Sequence, residues 1–302
     1  MRELKKKAGG IMAVENVIPR ADIVKHAERL GAEIKNIALS DDLPDDVIVA
    51  FNRLLLEHKV IFFRDQGHLD DAQQQRFVRR LGSLIPNPTM ADTLGGSTIR
   101  QELSDRACSH LNQMNDERVR TAISVLRLAA DPPFGGDIAW SSRAAAYLDL
   151  PDPLRMLADN LWAVSFVASD LTATERATEA NKGLWWGVST GTIYETTYPI
   201  VRVHPETGER MLSLGRSVNN FVGLQRDPSQ RLFERLQSYL IAPSNTLCWN
   251  WKSGDVVIWD NRATEPYPVN KIGSPHWAMD QLAIDAGVLH VKRPKSRAAK
   301  AA

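Results

Sequence analysis

Hydrophobic residues recur at helical spacing in several stretches of the chain. Val47, Phe51, Leu54 and Leu55 stand at positions i, i+4, i+7 and i+8 behind Pro44, a residue that suits the first position of a helix. This pattern predicts an amphipathic helix that begins near residue 44. Similar patterns predict helices at about residues 70–81, 142–148, 153–161 and 227–240.

Short apolar runs between turn residues predict strands. Residues 59–64 (KVIFFR) form a continuous apolar run typical of a buried strand. Further strands are predicted on both sides of Leu30-Gly31, at residues 123–128, 246–251, 256–259 and 277–284, and in a hairpin of residues 199–203 and 210–214. Residues 83–119 have no sustained period, and their prolines and glycines predict a long loop.

The order of these elements predicts the fold class and the domain boundaries. Many strands separated by turns, with helices early and late, indicate an α+β fold built on a β-sandwich or jelly roll that helices flank. We expect a loose N-terminal extension at residues 1–12, a single domain at residues 13–291 and a basic, alanine-rich tail at residues 292–302. Residues 171–182 are charged and are expected at the surface.

Composition narrows the possible partners. The net charge of +1 over 302 residues provides no large field that would attract nucleic acid or an anionic membrane. No apolar run approaches the length that spans a bilayer, and no secretory signal is visible. Two cysteines, Cys108 and Cys248, fit a reducing compartment. We therefore expect a cytoplasmic protein that binds neither nucleic acid nor membranes.

Five segments together resemble one known family. They are HKVIFFRDQ at residues 58–66, PPFGGD at 132–137, VRVHPETGER at 201–210, FVGL at 221–224, and the stretch from WNW to WDNRAT at 249–264. These segments are similar to the TauD/TfdA family of Fe(II)/2-oxoglutarate dioxygenases, and most of all to its members that oxidise alkyl sulfate esters or sulfonates. The resemblance covers about residues 34–287 and implies a double-stranded β-helix, which is a jelly roll, and a homo-oligomer.

The resemblance also locates the metal ligands, and here the chain departs from the family. Such an enzyme binds iron through two histidines and one carboxylate. The family's positions for these ligands fall at Leu111, Gln113 and Pro266. A shift of one residue gives His110 and Asn112, which supply an imidazole and a neutral amide. His276, ten residues after Pro266, is the weak candidate for a replacement distal ligand.

The family's cosubstrate positions are changed too. The resemblance places the groups that hold 2-oxoglutarate at Ile138, Trp277 and Gln281, although the family uses a threonine and arginine there. Its substrate-pocket positions fall at Asn87, Ser165, Arg216 and Ser217. A dianion at this site would lack its charge partner, so the sequence predicts no bound cofactor. The alternative is a site that holds Fe(II) and 2-oxoglutarate through displaced ligands.

Other candidate residues favour structural roles. His204 lies in the predicted hairpin, where we expect a structural hydrogen bond, and Asp260 with Arg262 is expected to form a scaffold ion pair. Cys108 near His110 would suggest a nucleophile and base, but no third group accompanies them. The sequence therefore predicts a catalytically degenerate protein of the dioxygenase fold. The alternative is an active dioxygenase that acts on a small sulfonate or sulfate ester.

Overall fold

The computed structural model describes residues 14, 17–83, 99–102, 121–128, 138–168, 193–214, 218–268 and 278–285. The helices are α1 (Asp45–His58), α2 (Asp71–Leu81), α3 (Arg143–Leu148), α4 (Asp152–Asp159) and α5 (Arg226–Leu240). The strands are β1 (Ile23–Lys25), β2 (Ala32–Ile34), β3 (Val60–Phe63), β4 (Ile99–Glu102), β5 (Thr121–Leu128), β6 (Ile138–Ser142), β7 (Trp162–Ala168), β8 (Ile193–Pro199), β9 (Val201–Val203), β10 (Arg210–Leu212), β11 (Val218–Phe221), β12 (Thr246–Cys248), β13 (Val256–Asp260), β14 (Thr264–Pro268) and β15 (Ala278–Asp285).

The strands form four sheets. A seven-stranded sheet has the order β1-β2-β3-β13-β5-β15-β4, and a three-stranded sheet has the order β12-β6-β14. A second three-stranded sheet has the order β11-β7-β8, and β9 pairs with β10. The pairing of β2 with β3 is parallel, whereas the other described pairs are antiparallel. Apart from β1 and β2, neighbouring strands of the seven-stranded sheet and of the β12-β6-β14 sheet are distant in sequence, as in a jelly roll.

Alternating side chains of the seven-stranded sheet build two cores. Ile61 and Phe63 of β3 pack with residues of α1 and α2 on one face. Val60 and Phe62 point to the opposite face, which packs against the β12-β6-β14 sheet. We call the cluster on that second face the inter-sheet core; its buried members are Leu30, Val60, Phe62, Leu126, Leu128, Ile138, Trp140, Trp249, Trp251, Val257 and Trp259. The buried strand predicted at residues 59–64 is confirmed.

A further core lies under the remaining helices. Leu236 and Leu240 of α5 pack with Phe221 of β11, Tyr198 of β8 and Leu212 of β10. The hydrophobic residues of α5 face this cluster because they are spaced at helical intervals. None of the described helices is long and apolar enough to span a membrane.

The predicted helices are confirmed, with small shifts at their ends. Pro44 is the N-cap residue of α1 rather than its first helical residue. Helix α2 begins with a capping box, in which Asp70 accepts from the backbone N–H of Gln73 at 2.7 Å and Gln73 accepts from that of Asp70 at 2.8 Å. These reciprocal bonds satisfy two otherwise unpaired N–H groups, so they fix where the helix starts.

Several strand predictions need correction. Residues 83–119 are not one long loop, because β4 lies within them and pairs with β15 at the edge of the large sheet. The strand predicted at residues 246–251 ends at Cys248, and Pro199 ends β8 rather than beginning the hairpin strand. Strands β6, β7, β8, β11 and β14 had no counterpart among the predictions. Residues 1–12, 171–182 and 292–302 lie outside the described residues.

Gly31→Ala is expected to destabilise the fold by about 2–4 kcal/mol. Gly31 has a φ of 83°, and an added Cβ would overlap the side chain of Leu247 and lie 3.2 Å from Phe62 Cε2. Gly208→Ala is the matched control, because Gly208 has a φ of 72° and nothing within 4 Å of the added Cβ. The control should lose only about 1 kcal/mol from backbone strain. Urea unfolding compares the two, and equal losses would contradict the packing argument.

Candidate functional site

Two positions that the sequence singled out lie on neighbouring strands of the three-stranded sheet. Pro266 of β14 pairs with Trp140 of β6, and Ile138 of β6 pairs with Pro268 of β14. Directly opposed residues of an antiparallel pair share one face, and so do residues two apart on a strand. Pro266, Ile138 and Trp140 therefore belong to one face. Because Ile138 and Trp140 are members of the inter-sheet core, this face is the interior one.

A third position lies on the sheet that faces them. Position 281 of β15 pairs with Leu126 of β5, whose side chain is buried in the inter-sheet core. The fold thus brings positions 138, 266 and 281 to the two sheets that enclose this core, although they are far apart in sequence. We call this place the interior site.

The surroundings of the interior site are aromatic. The ring of Trp140 lies 5.5 Å from that of Phe62, 5.8 Å from that of Trp259 and 6.2 Å from that of Trp251, measured between centroids. Trp140 is fully buried and Ile138 is 3% exposed. Trp140, the cross-strand partner of Pro266, is therefore packed among large aromatic rings, which favour close packing over an ion.

Iron does not fit the donor atoms at the described positions of this site. Iron of this class takes two imidazoles and a carboxylate, whereas Pro266 and Ile138 have no side-chain donor atom. Within the described ranges, no three His, Cys, Asp or Glu side chains are grouped so that they would hold a metal ion. Of the three ligand positions that the resemblance implies, only position 266 is among the described residues, and its proline supplies no donor atom.

Most of the other candidates cannot be assigned a place in the fold from the described residues. The predictions at Asn87, Cys108, His110, Leu111, Asn112, Gln113, Arg216, Ser217, His276 and Trp277 fall outside the described residues. Ser165 is buried in β7, where it pairs with Val218 of β11 and Thr196 of β8. It therefore belongs to the second three-stranded sheet and not to the one that carries positions 138 and 266. Cys248 is exposed at the end of β12.

The expected hydrogen bond of His204 is confirmed, and it joins a larger buried network. His204 Nε2 lies 3.0 Å from Asp260 Oδ2, and each side chain is only 1% exposed. Arg262 donates to the same carboxylate through Nε at 2.9 Å and Nη2 at 2.6 Å. A further bond of 2.8 Å joins Arg262 to Glu206. The scaffold role expected for Asp260 and Arg262 is supported by these contacts.

The network sets the charge of Asp260. Burial alone would raise the pKa of this carboxyl, but the hydrogen bonds from His204 and Arg262, together with the charge of Arg262, lower the pKa from 3.8 to about 2. Asp260 is therefore ionised at neutral pH.

A second buried carboxylate behaves in the opposite way. Asp255 accepts from Trp249 Nε1 at 2.9 Å and from the backbone N–H of Lys252 at 2.9 Å, and it also contacts Arg64. Burial raises the pKa of Asp255 in spite of these donors. One of its oxygens, Oδ1, has no hydrogen-bond partner among the described residues.

Asn261 is a structural residue that the sequence did not single out. Its Oδ1 accepts from Trp259 Nε1 at 2.7 Å, and its Nδ2 donates to Ser124 Oγ at 2.8 Å. These bonds satisfy a buried indole N–H and link β13 to β5. The position of Asn261 directly after Trp259-Asp260 was visible in the sequence, but its partner Ser124 is too distant along the chain for a local pattern to indicate.

Comparison with known proteins agrees with the fold. The family model "Taurine catabolism dioxygenase TauD, TfdA family" matches residues 22–264. A solved taurine dioxygenase from Burkholderia xenovorans superposes with a TM-score of 0.69 at 27% identity, over 87% of this chain and 88% of that one. The predicted jelly-roll fold flanked by helices is confirmed.

Two curated relatives are more similar in sequence. The α-ketoglutarate-dependent sulfate ester dioxygenase of Pseudomonas putida is 41% identical over 84% of this chain and 85% of its own length. The alkylsulfatase of Acinetobacter baylyi is 36% identical over 90% of this chain and 87% of its own length. Their names agree with the group to which the sequence was most similar. The chain therefore belongs to the TauD/TfdA family, within which it is similar to the alkylsulfatase group.

Proposed function

We propose that this chain keeps the dioxygenase fold without iron- and 2-oxoglutarate-dependent turnover. The observation that carries the proposal is Pro266, which lies on the interior face of β14 opposite the buried ring of Trp140. By resemblance, this is the place of the distal histidine ligand. Proline has no side-chain atom that donates to a metal, and the tryptophan beside it does not replace one.

Ile138 supports the same proposal, because it affects how the cosubstrate 2-oxoglutarate would bind. It lies on the same face as Pro266, at the position where the family has a threonine that helps to hold 2-oxoglutarate. Isoleucine offers no hydroxyl, and a buried carboxylate without donors or a cation is costly by several kcal/mol. We therefore expect the protein to be inert as an oxygenase or to serve in binding or assembly.

A second candidate function is supported by the relatives. Identities of 41% to a sulfate ester dioxygenase and 36% to an alkylsulfatase favour an active Fe(II)/2-oxoglutarate dioxygenase that acts on a small sulfate ester or sulfonate. In this chain such activity requires displaced ligands, for which His110, Asn112 and His276 are the candidates. The two functions differ in one measurable property, which is stable iron binding.

Iron retention distinguishes the two functions. The purified protein is loaded with Fe(II) under anaerobic conditions with 2-oxoglutarate, desalted and analysed for metal. We expect far less than one iron per chain, because a site with fewer than three protein ligands releases the ion on desalting. The matched control replaces His110 and His276 with alanine and should give the same low value. Near-equimolar iron that the control loses would overturn the proposal and establish displaced ligands; sulfate release from an alkyl sulfate would then test the substrate.

A further inference from the structure

A closed ring of contacts joins the turn after β9 to the start of β14. His204, which directly follows β9, contacts the carboxylate of Asp260 at the end of β13. Arg262 donates to the same carboxylate and also forms an ion pair with Glu206 in the turn. The backbone strengthens the ring, since the N–H of His204 donates to the carbonyl of Glu209 at 2.8 Å and thereby closes the hairpin. We call these contacts the clasp.

Both ring nitrogens of His204 have partners that fix its tautomer. Nδ1 lies 3.2 Å from the backbone nitrogen of Glu206 and 3.1 Å from that of Thr207, and both of these are N–H donors. Nδ1 must therefore carry a lone pair, so the proton of the neutral ring resides on Nε2. Nε2–H then donates to Asp260. The ring acts as a rigid spacer with an acceptor on one side and a donor on the other.

Asp260 in turn accepts hydrogen bonds from three of the four residues that follow it. Its Oδ1 accepts from the backbone N–H of Arg262 at 2.8 Å, and its carbonyl accepts from the N–H of Ala263 at 3.2 Å. The same carbonyl accepts from Thr264 Oγ1 at 2.7 Å. Thr264 is the first residue of β14, and it pairs with Ser142 of β6. The carboxylate and the carbonyl of Asp260 thus both accept from the residues that lead into β14.

We propose that His204 is a positioning residue for the interior face of β14. By holding Asp260, it fixes the turn of residues 260–264 and hence the position of residue 266 against Trp140. This role of His204 goes beyond the proposed function, because it concerns how the fold positions the interior site. The role is the same whether or not iron is bound. It also assigns a task to the exposed turn after β9, which anchors the segment that leads into β14.

Two substitutions of His204 distinguish the contact of Nε2 with Asp260 from the contacts of Nδ1 with the turn. His204→Gln places an amide N–H near the position of Nε2 and keeps a donor for Asp260. His204→Asn places a carbonyl near the position of Nδ1 and keeps an acceptor for the turn, but it loses the bond to Asp260. The proposal requires the second change to disturb β14 and the first to leave it in place.

The readout is fluorine NMR of protein labelled with 5-fluorotryptophan under native conditions. Trp140 pairs directly with position 266, and its resonance is assigned through its loss in Trp140→Phe. Trp249, which is anchored to Asp255, serves as the internal reference. We expect the Trp140 resonance to shift or broaden in His204→Asn, to stay within its linewidth in His204→Gln, and the Trp249 resonance to stay unchanged in both.

Any other pattern contradicts the proposal. If both variants move the Trp140 resonance equally, or neither does while stability falls, then His204 only stabilises the hairpin. If His204→Asn does not fold, Thr264→Val provides the milder test, because it removes the hydroxyl bond to Asp260 and keeps the volume of the side chain. That variant should also move the Trp140 resonance, and an unchanged resonance would refute the route through the turn.

Discussion

Six substitutions made together are expected to produce 2-oxoglutarate-dependent succinate formation, whereas we expect none above a metal-free control from the unmodified chain. They are Leu111→His, Gln113→Asp, Pro266→His, Ile138→Thr, Trp277→Arg and Gln281→Arg. Each returns to the chain the residue type that the family resemblance implies at that position. Metal and anion binding support one another, since the bound dianion reduces the loss of the ion and the ion attracts the dianion. The effect should therefore be strongly non-additive.

Single substitutions provide the matched controls. Pro266→His alone supplies one imidazole, and Gln281→Arg alone places a cation in a site without its anion. Neither should give turnover or a rise in melting temperature with millimolar 2-oxoglutarate. The sixfold variant should show both, because a ligand at 100 times its dissociation constant stabilises a protein by about 2.7 kcal/mol. Turnover by the unmodified chain would show that the proposed loss of function is wrong. Turnover by one single variant would show that the site is less altered than we infer.

The central sheet was predictable from the sequence because burial on both faces leaves a strong signal. Val60–Phe63 is apolar throughout, since alternate residues serve the helix-facing core and the inter-sheet core. Strand β14 gave no such signal, because Pro266 and Pro268 are residues that normally interrupt a strand. Strand β4 (Ile99–Glu102) is mostly polar and lies at an edge, so it resembled a loop. Both segments form strands because they pair with strands that are distant in sequence, β14 with β6 and β4 with β15.

The resemblance identified the residue positions of the candidate site, but it did not show how the fold brings those positions together. The resemblance located Pro266, Ile138 and Gln281 in the sequence, while their convergence on the two sheets around the inter-sheet core came from the pairings of β6, β14 and β15. The clasp shows the same limit. His204 suggested a structural bond, yet its partner Asp260 lies 56 residues away, and no local pattern connects the two. Long-range contacts of this kind follow from topology, which periodicity does not specify.

Asp260→Asn is expected to destabilise the protein by about 3–5 kcal/mol at neutral pH, the range found when one partner of a buried ion pair is removed. Asp260 is 1% exposed and accepts from both His204 and Arg262, so the amide would turn one acceptor into a donor facing these groups. Arg262, whose side chain is 16% exposed, would keep Glu206 as its one charged partner among the described residues. The melting temperature should fall by roughly 10 °C.

The loss of unfolding free energy caused by Asp260→Asn should become smaller as the pH falls. Because the folded pKa of Asp260 is about 2 and lies below the ordinary value of 3.8, its ionisation stabilises the folded state above about pH 4. This contribution is lost as the pH falls from about 4 towards 2. Asparagine does not titrate, so the difference in unfolding free energy between the unmodified protein and the variant should shrink by about 2 kcal/mol over that range. Urea unfolding, followed at pH 7, 5, 4, 3 and 2, measures the difference.

Asp255→Asn is the control with the opposite sign. Burial raises the pKa of Asp255, so protonation of this group favours the folded state, and the stability it contributes is lost as the pH rises through its folded pKa. Removing it should make the decline of stability on acidification steeper, whereas Asp260→Asn should make the decline shallower. If both variants changed the slope in the same direction, the contrast between the two buried carboxylates would be wrong. An Asp260→Asn protein as stable as the original at pH 7 would show that the clasp contributes little to the fold.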